Sequence, residues 1–206
     1  MVHRHPAYST PFPPSEDTVA GRMMLELAAG RDSSLDDLLV DLLEDGEALC
    51  PDDPAASELD EAGLRELLGR VEEAYRAAVP RTSEDTIAFA TALPALRDQG
   101  IALSIGSGFD QGEAAREAHA LTAELEEPVG YVYASTQDFD TATETCRLYL
   151  GFSDVTGEDR AATVRVGEIV VAELRAHGLS VSWDGTDGER IALDPFVFAV
   201  ELPEAE

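Results

Sequence analysis

The sequence predicts an α+β fold, with an N-terminal three-helix unit followed by a mixed β-sheet domain that has helices packed on it. Leucines at helical spacing dominate the first third, whereas short apolar segments, helices and glycine-containing turns alternate after Pro80. The 206 residues are 44% apolar, which is enough for a sizeable core. We expect a tail at residues 1–14, a helical unit at 15–79 and a mixed α/β domain at 80–206.

The N-terminal third begins with a segment rich in proline, which opposes both helix and sheet, so residues 1–14 are predicted to be a flexible tail. A first helix is expected from about Ser15 to Gly30. The second helix, bounded by Ser34 and Gly46, has the clearest signal: a leucine stripe and an opposite acidic face, formed by Leu35, Leu38, Leu39, Leu42 and Leu43 and by Asp36, Asp37, Asp41 and Glu44. Ser57 and Asp60 resemble a capping box for a third helix, whose buried stripe extends to Ala78.

Beyond Pro80, periodicity and turn residues predict four helices, at 82–99, 113–125, 137–143 and 161–177. They predict strands between and after these helices, at 101–105, 129–134, 146–152, 179–183, 190–193 and 196–200. The first βαβ unit is expected to be parallel and right-handed. The strands on either side of residues 184–189 are expected to pair antiparallel, and residues 196–200 to add an edge strand.

The charge excludes several classes of partner. Forty-two acids face 14 basic residues, all of them arginine, for a formal charge of −28. We predict neither a nucleic-acid nor a membrane partner, because both phosphate backbones and anionic lipids require clustered basic residues. The acids are spread along the whole chain, which favours a solvated surface; solubility, salt adaptation and mimicry of an anionic polymer stay open as reasons for them.

The same composition predicts a cytoplasmic location. Cys50 and Cys146 are far apart and form no disulfide framework or metal-binding spacing. The N-terminal segment lacks the apolar core of a signal peptide, and no apolar run approaches the roughly 18 residues of a membrane-spanning helix.

Several segments after residue 92 resemble an uncharacterised bacterial family that is defined by a C-terminal domain of unknown function. They are Gly130-Tyr-Val-Tyr133, Leu148-Tyr-Leu-Gly151 and, most specifically, Trp183-Asp184-Gly185 followed by Arg190-Ile191. The resemblance covers roughly residues 80–203 and implies a fold without implying a reaction. The family's cysteine-rich segment after the first strand is replaced here by residues 106–112. Its histidine-containing segment after the second strand is replaced by residues 135–140.

A glycine-rich segment, residues 106–112, lies between a predicted strand and a predicted helix, where dinucleotide phosphates bind in other proteins. Its spacing is GxGxxxG rather than GxGxxG, and Asp110 and Glu113 place negative charge where phosphates would lie. We therefore interpret it as a plain strand–turn–helix connection.

Two further places are candidate binding sites. Gln137 and Asp138 follow the second strand, where loops collect ligand-binding groups, although helix capping is the alternative. Trp183 and Asp184 begin the last turn; Asp184 with Asp187 and Glu189 could coordinate calcium, although Asp-Gly pairs are also typical of tight hairpin turns. Trp183 is either a ligand platform or a packed residue.

No nucleophile elbow, phosphate-binding loop or metalloprotease motif is present, so we predict no catalytic residues, no metal and no cofactor. The function that we predict is a non-catalytic binding or regulatory module with a protein partner. One alternative is an acidic inhibitor, either an immunity-type protein or a nucleic-acid mimic. Another is an enzyme with a site at the strand ends near Ser107, Gln137 and Asp138.

Overall fold

The computed structural model describes residues 3–10, 15, 17–31 and 35–203, apart from the side chain of Glu47. This part of the chain contains eight α-helices: α1 Val19–Ala28, α2 Leu35–Leu49, α3 Ala55–Glu58, α4 Glu61–Ala78, α5 Glu84–Asp98, α6 Gln111–Leu121, α7 Thr136–Thr145 and α8 Arg160–Ala176. The same part forms five strands: β1 Ile101–Ile105, β2 Gly130–Ala134, β3 Leu148–Asp154, β4 Val181–Ser182 and β5 Ile191–Leu193. The predicted α+β class is confirmed.

The chain divides into two structural units. A sheet-containing unit comprises Glu84–Val197, and a helical unit comprises Val2–Ser83 together with Phe198–Glu206. The helical unit thus includes the C-terminal segment, which the sequence placed in the sheet domain.

The expected edge strand at residues 196–200 is not formed. Within the helical unit, the Tyr75 hydroxyl of α4 donates a 2.7 Å hydrogen bond to the Val200 carbonyl, and the backbone N–H of Ser83 donates one of 2.9 Å to the Ala199 carbonyl. The prediction of an edge strand was wrong because these backbone groups pair with α4 and the segment after it rather than with a strand.

The helical unit is organised around the apolar face of α4, on which Leu64, Leu67, Val71 and Tyr75 are buried. Thr18, rather than Ser15, caps α1, because its side chain accepts a 3.0 Å hydrogen bond from the backbone of Gly21. Asp60 caps α4 in the same way, because its side chain accepts a 2.9 Å hydrogen bond from the backbone N–H of Gly63. Ser57 does not form the expected capping box with Asp60, since it belongs to a separate short helix, α3. Ser34, expected at the start of the second helix, lies outside the described residues.

Residues 3–10 are packed rather than a free tail. Pro6–Ser9 form a 3₁₀ helix, and both His5 and Ala7 have no exposed surface. The His5 ring stacks on Tyr75 with ring centroids 6.2 Å apart. The prediction of a flexible tail was wrong for these residues because proline is tolerated at the first position of a helix, and because this segment has apolar surface to bury. Pro11, Pro13 and Pro14 lie outside the described residues.

Helix α2 continues past its expected end at Gly46. The backbone becomes non-helical only locally, at Asp45, and helix resumes as far as Leu49. A Cβ on Gly46 would lie 2.6 Å from the Ala56 carbonyl oxygen. Glycine at this position therefore allows α3 to approach α2 closely, and it does not end the helix.

The sheet has the strand order β1-β2-β3-β5-β4. Strands β1 and β2 are parallel, with Ile101 opposite Gly130, and the other neighbouring strands are antiparallel. The parallel first pair and the antiparallel last pair were both predicted. Because β1 and β2 are parallel, their carboxyl ends, Ile105 and Ala134, lie at the same edge of the sheet.

Helices cover the two faces of the sheet. On one face, His119 of α6 contacts the ring of Tyr131 in β2. On the other, Val166 of α8 lies where a Cβ of Gly130 would be, since side chains alternate between faces along a strand. Helix α5 packs on β1 and α8. In the described part of the chain, no helix has the length and apolar character that a bilayer-spanning segment needs.

Candidate functional site

The loop after β1 is shaped by two glycines. Gly106 and Gly108 have φ values of +72° and +70°, in the left-handed region that favours glycine. A Cβ on Gly108 would lie 2.6 Å from the backbone nitrogen of Ala114, so this position also requires a close approach to α6. The backbone N–H of Gly106 donates a 2.8 Å hydrogen bond to the Ala134 carbonyl, which joins the loop to the end of β2.

The start of α7 holds the same loop from the other side. Thr136 donates a backbone hydrogen bond of 3.0 Å to the Gly108 carbonyl. Its hydroxyl lies 3.2 Å from both the Gly108 and the Phe109 carbonyl oxygens. Phe109 is therefore fixed through its backbone, while the residue as a whole is 68% exposed.

The N-terminus of α6 is occupied by side chains of its own chain. Asp110 accepts a 2.9 Å hydrogen bond from the backbone N–H of Glu113, and Glu113 accepts one of 2.9 Å from the backbone N–H of Phe109. This reciprocal capping places two carboxylates where a bound phosphate would need free N–H groups. The strand, the turn and the helix expected around residues 106–112 are all present.

The predicted site residues Gln137 and Asp138 have different environments at the start of α7. Gln137 is exposed, whereas Asp138 is buried. Oδ2 of Asp138 accepts hydrogen bonds of 2.9 Å from the backbone N–H and from the hydroxyl of Ser135, the residue that caps α7. The alternative interpretation, helix capping, therefore accounts for Asp138.

Arg190 is the partner of Asp138 that sequence reasoning missed. Its Nη1 donates a 2.8 Å hydrogen bond to Oδ1 of Asp138, and its Nη2 donates one of 2.7 Å to the Tyr149 carbonyl. Its guanidinium carbon lies 5.6 Å from the centroid of the Tyr149 ring. The signal that could have indicated it was its place in the Trp183–Ile191 segment, which is the most specific part of the family resemblance.

Tyr133 stands beside this ion pair. Its ring covers Gly151 of β3, and a Cβ on that glycine would overlap the ring. Burial raises the pKa of the Tyr133 hydroxyl, and the positive charge of Arg190 offsets part of that rise. The hydroxyl is therefore neutral at ordinary pH.

Trp183 lies on the sheet face opposite Arg190. It makes an edge-to-face contact with Phe152, with ring centroids 5.6 Å apart, and it packs on Gly167 of α8. Phe152 and Tyr149 point to opposite faces, because they are an odd number of residues apart in β3. The four predicted binding residues therefore form two separate places, one with Gln137 and Asp138 and one with Trp183 and Asp184.

The last turn is held by its own side chains. Asp184 accepts hydrogen bonds of 2.9 Å from the backbone N–H and the hydroxyl of Thr186, and the Trp183 indole donates one of 3.0 Å to the Thr186 carbonyl. Asp187 accepts two hydrogen bonds from Arg160, which lower the pKa of its carboxyl. These contacts favour the turn over the calcium alternative. Among the described residues, no group of three His, Cys, Asp or Glu side chains is arranged to hold a metal ion.

An open groove of about 320 Å³ lies between α8 and this turn. It is lined by Trp183 and Asp184 and by Glu168, Val171, Ala172, Arg175 and Gly185. The Arg175 guanidinium donates a 3.0 Å hydrogen bond to the Val181 carbonyl of β4. This bond occupies a backbone acceptor of the edge strand that an added strand would need.

At the carboxyl ends of β1 and β2, the carboxylate of Asp138 is engaged by neighbouring residues, whereas the ring of Phe109 is exposed. Both oxygens of Asp138 are engaged, by Ser135 and by Arg190, so this carboxylate is not positioned as a general acid or base. Phe109, by contrast, combines a fixed backbone with an exposed ring. Sequence reasoning missed Phe109, although an aromatic residue within a polar, glycine-rich loop was a visible signal.

Comparison with known proteins yields one family. No curated protein and no solved structure matches the chain. The family described as "Domain of unknown function (DUF6891)" matches residues 16–200, and the match therefore includes the helical unit as well as the region after residue 80. The chain belongs to this family of proteins with a domain of unknown function.

Proposed function

We propose that this chain is a non-catalytic binding module, and that it binds a protein partner through the Phe109 edge. We define the Phe109 edge as residues 106–110 together with Thr136 and Gln137. These residues all belong to the sheet-containing unit, at the carboxyl ends of β1 and β2.

The observation that carries the proposal is the exposure of Phe109 on a loop whose backbone is already fixed. The residue is 68% exposed, the largest fraction among the exposed large apolar residues of the described part of the chain. Burying a phenylalanine on association contributes about 2 kcal/mol. Because the loop is ordered by Thr136 and Glu113 beforehand, little conformational entropy is lost when a partner covers the ring.

The surroundings of Phe109 fit the rim of a protein interface. Asp110 and Gln137 are exposed, so an apolar centre has polar neighbours. With a formal charge of −28, the chain favours a partner whose contacting rim is neutral or basic, around an apolar pocket that accepts the ring.

The non-catalytic part of the proposal is supported by the engagement of the polar groups at this edge. Asp138 caps α7 and pairs with Arg190, while Asp110 and Glu113 cap α6. Each carboxylate thus has a structural partner, and an acid–base reaction would require at least one of them to be released.

A cytoplasmic location is part of the same proposal. Cys50 and Cys146 are free and buried, which suits a reducing compartment. Oxidised cysteines in protein isolated from its native cells would contradict this part.

The proposal is tested by affinity capture with matched variants. The intact chain, a Phe109→Ala variant and an Ile87→Ala variant are immobilised and exposed to lysate of the source cells. Ile87 is a suitable control because it is another exposed apolar residue of the same unit, 54% exposed on α5. We expect one protein to be retained by the intact chain and by Ile87→Ala and to be lost with Phe109→Ala.

A retained protein that binds all three forms equally would contradict the role of Phe109. Recovery of no partner, together with a monomeric chain in solution, would contradict the binding function itself. Turnover of a substrate by the purified chain would contradict the non-catalytic part.

A further inference from the structure

The outer face of α2 combines exposed apolar side chains with acids. Val40 is 51% exposed and Leu43, nearly one turn later, is 45% exposed. The acids around them are also exposed. We define the outer face of α2 as Asp36, Asp37, Val40, Asp41, Leu43 and Glu44.

This exposure is not needed for the packing of the helix. Leu35, Leu39 and Leu42 form the buried stripe of α2. The sequence pattern predicted the acidic part of this face, but it placed Leu43 in the buried stripe. The structure exposes Leu43 as well as Val40, so two apolar side chains three residues apart lie among the acids of this face.

The acids of this face have few internal partners. Asp36 lies 3.6 Å from Arg65 of α4, and both side chains are more than half exposed, so this ion pair is weak. Asp37, Asp41 and Glu44 have no ion-pair partner within the part of the chain that the structure describes. The face therefore keeps most of its negative charge.

Charge selects the occupant of this face. A second copy of the chain would place these acids against the same acids, and nucleic acid or an anionic membrane would be repelled for the same reason. A basic protein segment complements the face. The spacing of Val40 and Leu43, three residues apart on a helix, matches the spacing at which apolar side chains of two packed helices meet.

We infer that the outer face of α2 binds a basic amphipathic helix of a partner protein. The apolar stripe of that helix covers Val40 and Leu43, and its Lys and Arg side chains pair with Asp37, Asp41 and Glu44. This inference adds a second surface to the proposed binding function and does not depend on Phe109, because α2 lies in the helical unit.

The two kinds of contact have different salt dependence. Ion pairs at an exposed rim accelerate association and weaken as salt screens them, whereas the apolar centre is much less affected. Binding should therefore weaken with salt without vanishing at an ionic strength of about 0.5 M, where the Debye length has fallen to about 4 Å.

The test uses the intact chain and three synthetic peptides of about 18 residues, which is five turns of helix. The first peptide has leucines at helical spacing with lysines elsewhere. The second has the same composition in scrambled order, and the third has glutamate in place of lysine. With fluorescence anisotropy we expect dissociation constants in the micromolar range for the first peptide and at least about tenfold weaker binding for the others.

Variants then locate the site. In Val40→Ser with Leu43→Ser, the charge of the face is unchanged, and affinity for the first peptide should fall about tenfold. Asp37→Asn with Asp41→Asn should weaken binding at low salt and leave the apolar pair intact. Ile87→Ser is the control and should leave peptide affinity unchanged, because Ile87 is exposed and lies outside both proposed surfaces. Circular dichroism verifies that each variant is folded.

Equal affinity for the ordered and the scrambled peptide would overturn the inference, because it would indicate attraction to net charge alone. Unchanged affinity in both α2 variants would also overturn it. Either result leaves partner capture through Phe109 as an independent measurement, so failure here is distinguishable from failure of the proposed function.

Discussion

Arg190 donates a 2.8 Å hydrogen bond to Asp138, and the two residues are 52 positions apart in the chain. The side chains are only 24% and 8% exposed, so the ion pair is largely removed from water. Asp138 also accepts from Ser135 at the start of α7, while Arg190 also donates to the Tyr149 carbonyl of β3. This pair connects a helix start to the sheet, and its energetics depend on both charges being present.

Loss of the arginine should therefore be costly. In Arg190→Met, the Asp138 carboxylate keeps its buried position without a counter-charge, and we expect the free energy of unfolding to fall by about 3 kcal/mol. Urea denaturation followed by the fluorescence of Trp183 measures this, because that residue lies in the same unit. Arg97→Met is the control: its ion pair with Glu124 is 62% exposed on both sides, so the change should stay within about 0.5 kcal/mol. Equal effects of the two substitutions would contradict the prediction.

The contact of Tyr133 with Gly151 leaves no room for a methyl group. We expect Gly151→Ala to lower the free energy of unfolding by about 1–3 kcal/mol, because the ring must leave its place over β3. In the double variant with Tyr133→Val, the alanine has room, and the combined loss should be smaller than the sum of the two single losses. Strict additivity in urea denaturation would show that the ring is not the obstacle.

Glycine at position 69 should behave in the opposite way. It is exposed within α4, and a Cβ there would have no neighbour within 4 Å. Gly69→Ala should therefore raise the free energy of unfolding by about 0.5–1 kcal/mol, since alanine reduces the conformational freedom of the unfolded chain. Thermal unfolding of the intact chain, followed by circular dichroism, measures the gain. A lower melting temperature would contradict this prediction.

The buried His5 should make the stability of the helical unit depend on pH. Burial lowers the pKa of His5 from 6.5 to about 4, and a backbone interaction with Phe198 offsets only part of that shift. Because the unfolded chain binds this proton more readily, the stabilisation is complete above pH 6.5 and is lost as the pH falls towards 4. Over that window the loss approaches about 3 kcal/mol.

A His5→Asn variant isolates this contribution from the many carboxylates. The variant should be less stable than the parent chain at pH 7, and the difference should shrink as the pH falls to 4.5. Circular dichroism during urea denaturation at several pH values measures it. A difference that does not change with pH would mean that His5 titrates alike in both states.

The two thiols should be inert in the native protein. Cys50 is 0% and Cys146 is 1% exposed. Burial, with a smaller contribution from the charge of Asp85, raises the pKa of the Cys146 thiol to about 11. At pH 8, about one thiol in a thousand is then ionised at this position, and the thiolate is the reactive form. Ellman's reagent should label neither cysteine before unfolding and both after it. A Gln137→Cys variant, at an exposed position, should react at once; rapid labelling of the parent chain would contradict the prediction.

Local patterns predicted those parts of the fold that depend on local energetics. The stripe of α4 was predicted because its apolar residues recur at helical spacing, and β2 because Tyr and Val favour strands. The prediction was wrong where a distant partner overrides local preference. The prolines of the N-terminal segment predicted a flexible tail, yet within residues 3–10 His5 packs on Tyr75. Gly46 was expected to end a helix, yet it makes room for the backbone of Ala56.

In the candidate site, too, the features that depend on neighbouring residues were predicted and those that depend on distant contacts were not. The sequence predicted polar residues directly after β2, and it offered helix capping as one role for Asp138. The sequence marked Arg190 and Phe109 only as unusual residues; the pairing of Arg190 with Asp138 and the exposure of Phe109 depend on which distant segments fold against one another. The helix and strand order, the α+β class and the strong acidity were accessible from residue order, since periodicity and charge are properties of neighbouring residues. Which carboxylates are neutralised, which apolar rings stay in water and where the C-terminal segment lies were settled by folding, because each requires contacts between residues far apart in the chain.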